Sequence, residues 1–217
     1  MTDNNGAHML ISRRTTLSLL GAGACAPALA TPGLAHAADT NNPYGLRAIG
    51  NPHAKLKIIE YFSMGCPHCA EFATHTLPKV IPAYVKTGKL YYIFRDFPLD
   101  TVSVMAAAVA RSLPESRYVA FNSMLFSHQY EWADNPKLKT LPEYHDALFK
   151  FAALAGMDRA TFNDAVSSVK LQKFIIGERQ RAEKIYHVDA TPTFIFKGKK
   201  YPGADDFKQF SAMIGEA

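Results

Sequence analysis

The residues best suited to chemistry are two cysteines separated by two residues, in the tetrapeptide Cys66-Pro67-His68-Cys69. They follow an apolar run, residues 56–62, which predicts a buried strand. They precede residues 70–85, whose pattern predicts a helix interrupted by prolines. A Cys-x-x-Cys pair at a strand-to-helix junction is typical of a dithiol redox site.

The predicted position of the pair favours a reactive thiolate at Cys66. At a helix N-terminus, unpaired backbone N–H groups and the positive end of the helix dipole stabilise an anion, so we expect a lowered pKa for this thiol. Pro67 suits the first helical turn because its missing N–H has no intrahelical partner there. His68 can direct a hydrogen bond or a positive charge at the Cys66 sulfur. Cys69 lies one turn further in, where it is less exposed and can close a small disulfide ring.

A static disulfide and half of a zinc site are the alternatives to a redox pair. A structural zinc ion needs four ligands. The chain has three cysteines, and His53 and His75 are the nearest other candidates outside the motif. We therefore favour a redox-active pair over both alternatives.

Residues 1–37 are predicted to be an export signal. Adjacent arginines, Arg13 and Arg14, precede an apolar stretch, residues 17–30, that is too short to span a bilayer. Residues 35–37 form a small-x-small cleavage site, and residues 28–30 form a second candidate. The arginine pair suggests the twin-arginine route, and the general secretion route stays open.

Removal of this signal sharpens the cysteine count. Cys25 could instead be a lipoprotein cysteine, but we interpret it as part of the removed peptide. Only Cys66 and Cys69 then remain, so the exported protein is not a small domain held together by disulfides. The pair is more plausibly present for chemistry.

The charge distribution gives no sign of a nucleic-acid partner. The whole chain has a formal net charge of +5, and its basic residues are scattered, with no dense run and no interleaved aromatic residues. After the signal, no apolar segment approaches the length needed to cross a membrane.

Strand and helix signals divide the rest of the chain into three parts. Residues 38–50 are predicted to be a loose lead-in, and residues 90–94 a second strand. Residues 100–188 show helical signals and no convincing strand. Residues 194–196 and 199–201 then predict a hairpin, and Asp205 or Asp206 caps a final helix.

Two charged residues allow two interpretations each. Glu60 lies inside the apolar run, either at a solvent-facing strand end or as a buried carboxylate with a raised pKa that moves protons during thiol exchange. Arg95 ends the second strand, either in solvent or paired with an acid such as Glu60.

Pro192 is the second informative residue of the sequence. A proline before a buried strand cannot donate a ladder hydrogen bond, so it belongs at the first position of that strand. Its peptide bond can be an ordinary trans bond or the cis form.

Taken together, these motifs resemble a DsbA-like member of the thioredoxin superfamily. Residues 66–69 match the active-site tetrapeptide of that family, residues 60–63 resemble the strand before it, and Thr191-Pro192-Thr193 matches its cis-proline loop. The resemblance covers about residue 51 to the C-terminus. It implies an α/β thioredoxin fold in two parts, residues 51–99 and 189–217, separated by an inserted helical domain, residues 100–188.

The resemblance also implies an activity. It is that of a periplasmic thiol–disulfide oxidoreductase that introduces disulfide bonds into secreted polypeptides through Cys66 and Cys69. Thr191 and Pro192 hold the substrate backbone, a quinone-linked membrane partner reoxidises the pair, and no metal or nucleotide cofactor is implied. No dimerisation segment follows the signal, which favours a monomer. A disulfide isomerase or reductase of the same fold stays open, as does a non-enzymatic metal-binding or chaperone-like protein.

Overall fold

The computed structural model describes residues 42–203 and 206–215, and the signal predicted for residues 1–37, including Cys25, lies outside them. In the described residues a five-stranded sheet has the order β1-β3-β2-β4-β5. The strands are β1 (Arg47–Ile49), β2 (Leu56–Phe62), β3 (Leu90–Asp96), β4 (Thr193–Phe196) and β5 (Lys199–Pro202).

The central strand β2 lies between a strand that follows it in the sequence, β3, and a strand from the C-terminal part of the chain, β4. β2 pairs with β3 in parallel, and the other strand pairs are antiparallel. On its other side β2 pairs with β4 so that Tyr61 lies opposite Thr193. The segment before β4 therefore lies beside the segment that follows β2, where the cysteines begin.

The helix after β2 is interrupted by prolines, as the sequence predicts. It consists of α1 (Pro67–Glu71), a π-helical turn (Phe72–Thr76), α2 (Leu77–Val80) and a second π-helical turn (Ile81–Val85). We call this run, residues 67–85, the active-site helix. Pro78 and Pro82 lack the N–H that a regular α-turn bonds, so the helix widens beside them.

The inserted block is helical throughout its described length. Its helices are α3 (Thr101–Ser112), α4 (Glu115–Ser127), α5 (Gln129–Trp132), α6 (Leu141–Leu154), α7 (Arg159–Ser167) and α8 (Val169–Tyr186). The predicted cap at Asp158 is present, since its carboxylate accepts a hydrogen bond from the Thr161 N–H. Asp206 likewise caps the last helix, α9 (Phe207–Ile214).

One continuous core joins the sheet to the inserted helices. Phe62 on β2 packs against Phe94 on β3 and Phe126 on α4, with ring centroids 6.3 Å and 5.9 Å away. Trp132 is fully buried, and its indole N–H donates to the Leu125 carbonyl. Among the described residues, no helix is long and apolar enough to cross a membrane.

The structure corrects the prediction of a loose lead-in. Within residues 38–50, β1 pairs with the edge of β3, and the Arg47 side chain is buried and donates to the Asn42 and Arg111 carbonyls. A strand of three residues is too short for its alternation to be recognised in a sequence. The position of β1 depends on its pairing with β3 and on the tertiary contacts of the buried Arg47 guanidinium.

The structure confirms that Arg95 pairs with an acid and corrects which acid it is. The Arg95 guanidinium donates to Glu178 on α8 at 2.6 Å, and not to Glu60. Glu178 is buried and lies 83 residues away in sequence. A partner at that distance leaves no pattern in the sequence.

Candidate active site

The two cysteines lie at the N-terminal end of α1, just beyond β2. Cys66 is the residue before the helix and Cys69 lies in its first turn, as predicted from the sequence. Both thiols are free, and both side chains are buried, Cys66 at 5% exposure and Cys69 at 0%. Pro67 occupies the start of α1, where its lack of an N–H costs no hydrogen bond.

The surroundings of Cys66 stabilise its thiolate. The pKa of Cys66 falls to about 5, first because the Cys69 thiol donates a hydrogen bond to its sulfur. Burial opposes this shift, while the Thr191 side chain and the backbone N–H groups of Cys69 and His68 add to it. At neutral pH, Cys66 is therefore a thiolate in the reduced protein.

Cys69 has the opposite character. Burial raises the pKa of its thiol well above the ordinary value, and the neighbouring Cys66 and Glu60 raise it further. Cys69 therefore keeps its proton, and this proton supplies the hydrogen bond to Cys66. The two sulfurs are chemically distinct although they are three residues apart.

The contribution of His68 comes through its backbone. Its N–H lowers the pKa of Cys66, and its side chain is exposed at the surface beside the thiol. The prediction that the His68 ring also stabilises the thiolate stays a prediction. The ring lines a groove that runs past the pair.

The Thr191–Pro192 peptide lies next to Cys66 and is cis. The Cys66 Sγ lies 3.3 Å from the Thr191 carbonyl oxygen, to which it donates when protonated, across 125 positions of sequence. Thr191 and Pro192 line a groove together with six others: His68, Glu71, Phe72, Ala190, Pro202 and Gly203. The sequence-predicted substrate residues and the cysteines therefore share one surface.

Glu60 is a buried carboxyl, so the first of its two interpretations, a solvent-facing strand end, is excluded. It is 4% exposed, and the Tyr92 hydroxyl donates to its Oε2 at 2.8 Å. Burial raises the pKa of Glu60 to about 7, the hydrogen bond from Tyr92 opposes the shift, and Cys66 adds to it. Glu60 can therefore gain or lose a proton near neutral pH, close to both cysteines.

The sequence analysis missed Gln129, which holds the active-site loop from the inserted block. Its side chain is buried, and Nε2 donates to the Met64 carbonyl at 2.7 Å and to the Cys66 carbonyl at 3.1 Å. Gln129 begins a four-residue helix more than sixty positions after the cysteines, and nothing in the sequence near it indicates this role.

Ser103 on α3 holds the same loop from the other side. Its Oγ accepts from the Gly65 N–H at 3.1 Å, and the Ser63 hydroxyl lies 3.0 Å away. A Cβ at Gly65 would lie 2.7 Å from this oxygen, so only glycine fits beside it. Ser103 and Gln129 of the inserted block thus fix the position of the backbone around Cys66.

Within residues 42–203 and 206–215, no group of three or more His, Cys, Asp or Glu side chains could hold a metal ion.

Comparisons with known proteins agree with the fold. A family model described as thioredoxin (Thioredoxin_4) matches residues 42–216. A candidate protein-disulfide oxidoreductase of Rickettsia typhi is 26% identical over 151 residues, which cover 69% of this chain and 54% of the relative. The chain thus spans about half the length of the curated relatives it matches.

Two solved structures resemble the chain over most of their length. Alpha-DsbA1 of Wolbachia pipientis is 29% identical with a TM-score of 0.71, and the match covers 79% of this chain and 90% of that one. A protein-disulfide isomerase of Novosphingobium aromaticivorans is 26% identical with a TM-score of 0.71, covering 78% and 95%. The predicted thioredoxin fold with inserted helices is confirmed. The chain belongs to the thioredoxin family, and it is a DsbA-like member of that family.

Proposed function

We propose that this protein is a thiol–disulfide oxidoreductase that introduces disulfide bonds into exported polypeptides. The observation that carries the proposal is the opposite behaviour of the two thiols. The pKa of Cys66 is lowered to about 5, while that of Cys69 is raised well above its ordinary value. A thiolate that is stable at Cys66 favours the reduced enzyme, and it therefore favours electron transfer from substrate to enzyme.

The reaction begins with the oxidised Cys66–Cys69 pair. A substrate thiolate attacks the Cys66 sulfur, which breaks the Cys66–Cys69 bond and forms a mixed disulfide between substrate and Cys66. Cys69 leaves with the electron pair and needs a proton, since its thiol has a raised pKa. Glu60 has a pKa of about 7, so its protonated form can supply that proton.

The second step releases the product. Another thiol of the substrate loses its proton and attacks the substrate sulfur of the mixed disulfide. A substrate disulfide forms, and Cys66 leaves as the stabilised thiolate. The substrate has lost two electrons and two protons. Cys69 keeps one proton, and the other reaches solvent.

The groove beside Cys66 supports a role for Thr191 and Pro192 in substrate binding. The Pro192 carbonyl accepts from the Gly203 N–H at 2.9 Å, and the Ala190 carbonyl accepts from the Thr193 hydroxyl at 2.7 Å. Among the residues that the structure describes, the Thr191 backbone between them forms no such bond to the sheet, and its carbonyl oxygen lies beside the Cys66 sulfur. An extended substrate segment can pair with it by strand addition.

Isomerisation is the second candidate function, because one structural relative is titled a protein-disulfide isomerase. An isomerase must attack an existing disulfide as the reduced thiolate, which Cys66 also provides at neutral pH. The balance between the two roles depends on the reduction potential of the pair. A high potential favours oxidation and a low one favours isomerisation or reduction.

We further propose that the protein acts in the periplasm as a monomer and that a quinone-linked membrane partner reoxidises it. The proposal of export rests on residues 1–37, and N-terminal sequencing of the exported protein is expected to give a start near Ala38. A start at Met1 would contradict removal of the signal, and an acylated Cys25 at the N-terminus would contradict the argument that only two cysteines remain.

The experiment that tests the function is equilibration of the Cys66–Cys69 pair with glutathione. We expect a potential well above that of a structural disulfide, together with rapid oxidation of a reduced two-cysteine peptide by the oxidised protein. Cys66→Ser is expected to abolish oxidation, and Cys69→Ser is expected to accumulate mixed disulfides. If the protein instead rearranges a scrambled multi-disulfide substrate faster than it oxidises the peptide, isomerisation is its main role.

A further inference from the structure

A cavity of about 150 Å³ lies between the active-site helix and α4, on the other side of that helix from the substrate groove. Glu60 lies among its lining residues, and its mouth passes the exposed residues Pro78 and Ser123. Its walls are mainly apolar and are formed by Phe62, Ala73, Leu77, Phe94, Val119 and Phe126. Neither the tetrapeptide nor the cis-proline loop contributes to it.

The buried polar side chains that line this cavity are Glu60 and Asn122. The Tyr92 hydroxyl donates to Oε2 of Glu60, and the second oxygen, Oε1, has no protein donor among the described residues. Asn122 on α4 is 5% exposed, and its buried Oδ1 has no hydrogen-bond partner there. A buried acceptor left unsatisfied costs roughly 1–3 kcal/mol, so a donor that reaches Asn122 Oδ1 binds favourably.

The size of the cavity limits the occupant. A cavity of about 150 Å³ with apolar walls accommodates a molecule of about the size of benzene. The donor must also be compatible with Glu60, which is partly ionised at neutral pH. A cation satisfies both acceptors with charge-assisted hydrogen bonds, which are stronger than neutral ones.

We propose that this cavity binds a small molecule that combines an apolar body with a protonated primary amine, whose ammonium group donates to Glu60 and Asn122. The apolar body lies against the aromatic and aliphatic walls. The ammonium group lies at the carboxyl end of the cavity, beneath the cysteine pair.

The site is coupled to the protonation of Glu60 and to the redox state of the pair. The titratable groups that face Glu60 are Tyr92 on β3, Cys66 just before α1 and Cys69 on α1. The cavity-facing residues of α4, and β4 as a whole, have no titratable side chains. An ammonium group binds the ionised carboxylate, and it also stabilises the nearby Cys66 thiolate. Binding is therefore tighter at higher pH and tighter to the reduced protein, and by reciprocity the amine makes the pair a stronger oxidant.

The test compares three probes of similar size by calorimetry on the full protein: benzylamine, benzyl alcohol and toluene. At pH 8 we expect benzylamine to bind the reduced protein about tenfold tighter than toluene does. At pH 6, where Glu60 is mostly protonated, benzylamine is expected to bind about tenfold more weakly than at pH 8, while toluene is unaffected. Equal affinities of benzylamine and toluene, or of benzylamine and benzyl alcohol, would overturn the proposal.

Two variants distinguish binding in this cavity from a general effect on protein stability. Glu60→Gln is expected to weaken the binding of benzylamine about tenfold and to remove the pH dependence of that binding. Ser123→Phe at the exposed mouth is expected to weaken all three probes, and Ser127→Phe, one turn along α4 and away from the cavity, is the matched control. Unchanged benzylamine binding in Ser123→Phe would place the probe elsewhere and refute the site. Because binding requires no disulfide exchange, this result is independent of the proposed enzymatic function.

Discussion

The substitution Glu60→Gln measures how much the buried, ionised carboxylate beneath the cysteines lowers the free energy of unfolding. The Glu60 side chain is 4% exposed, and burial is the main reason that its pKa rises from an ordinary value of 4.5 to about 7. Glutamine has nearly the same shape and keeps a carbonyl oxygen that accepts from the Tyr92 hydroxyl. The substitution therefore removes the titration of this residue and little else.

The sign of the effect follows from proton binding. Because the folded protein holds the Glu60 proton more tightly than the unfolded chain, stability falls as pH rises from 4.5 to about 7 and then stays constant. The difference between those two pKa values corresponds to about 3 kcal/mol at 1.36 kcal/mol per tenfold change in proton affinity. The ionised carboxylate thus lowers the free energy of unfolding by about 3 kcal/mol at pH 8 and by almost nothing at pH 4.

We therefore expect Glu60→Gln to raise the free energy of unfolding by about 3 kcal/mol at pH 8 and to leave it nearly unchanged at pH 4. Urea unfolding of the reduced protein at both pH values measures the difference. Glu71→Gln, which replaces an exposed acid at the end of α1, is the control and is expected to show no pH-dependent gain. The same gain at both pH values, or no gain at pH 8, would refute a buried carboxyl with a raised pKa.

Three further outcomes are expected. Gln129→Leu removes the side-chain donor to the buried Met64 carbonyl and one of two donors to the Cys66 carbonyl, which also accepts from the Ala70 N–H. It is expected to lower the free energy of unfolding by about 2 kcal/mol in urea; the exposed control Gln180→Leu is expected to have little effect. Asp96→Asn leaves the buried Arg111 guanidinium without its carboxylate and is expected to cost about 3–5 kcal/mol, and an unchanged urea midpoint would contradict the ion pair. Thiolate absorbance of the reduced protein is expected to titrate Cys66 with a midpoint of about 5, and a midpoint near that of a free cysteine would remove the basis for the proposed oxidase.

Local sequence patterns predicted most of the helices and strands. The active-site helix follows from the prolines and from the strand before it, and the α7 cap follows from Asp158, because these signals lie within one turn of the structure they specify. β1 and the Arg95–Glu178 ion pair could not be predicted. Both depend on partners that only the folded chain brings close.

The sequence by itself predicted which atoms we propose to react, since a Cys-x-x-Cys at a helix N-terminus fixes the geometry of the pair through local backbone structure alone. It did not determine how strongly they react. The buried state of Glu60 and the contact of Cys66 with Thr191 arise from the register of β2 against β4. The hydrogen bonds from Gln129 and Ser103 to the loop that carries Cys66 arise from the packing of the inserted helices against that loop. Desolvation and hydrogen bonding act over a few ångströms in space, and only the tertiary structure decides which distant residues lie within that range.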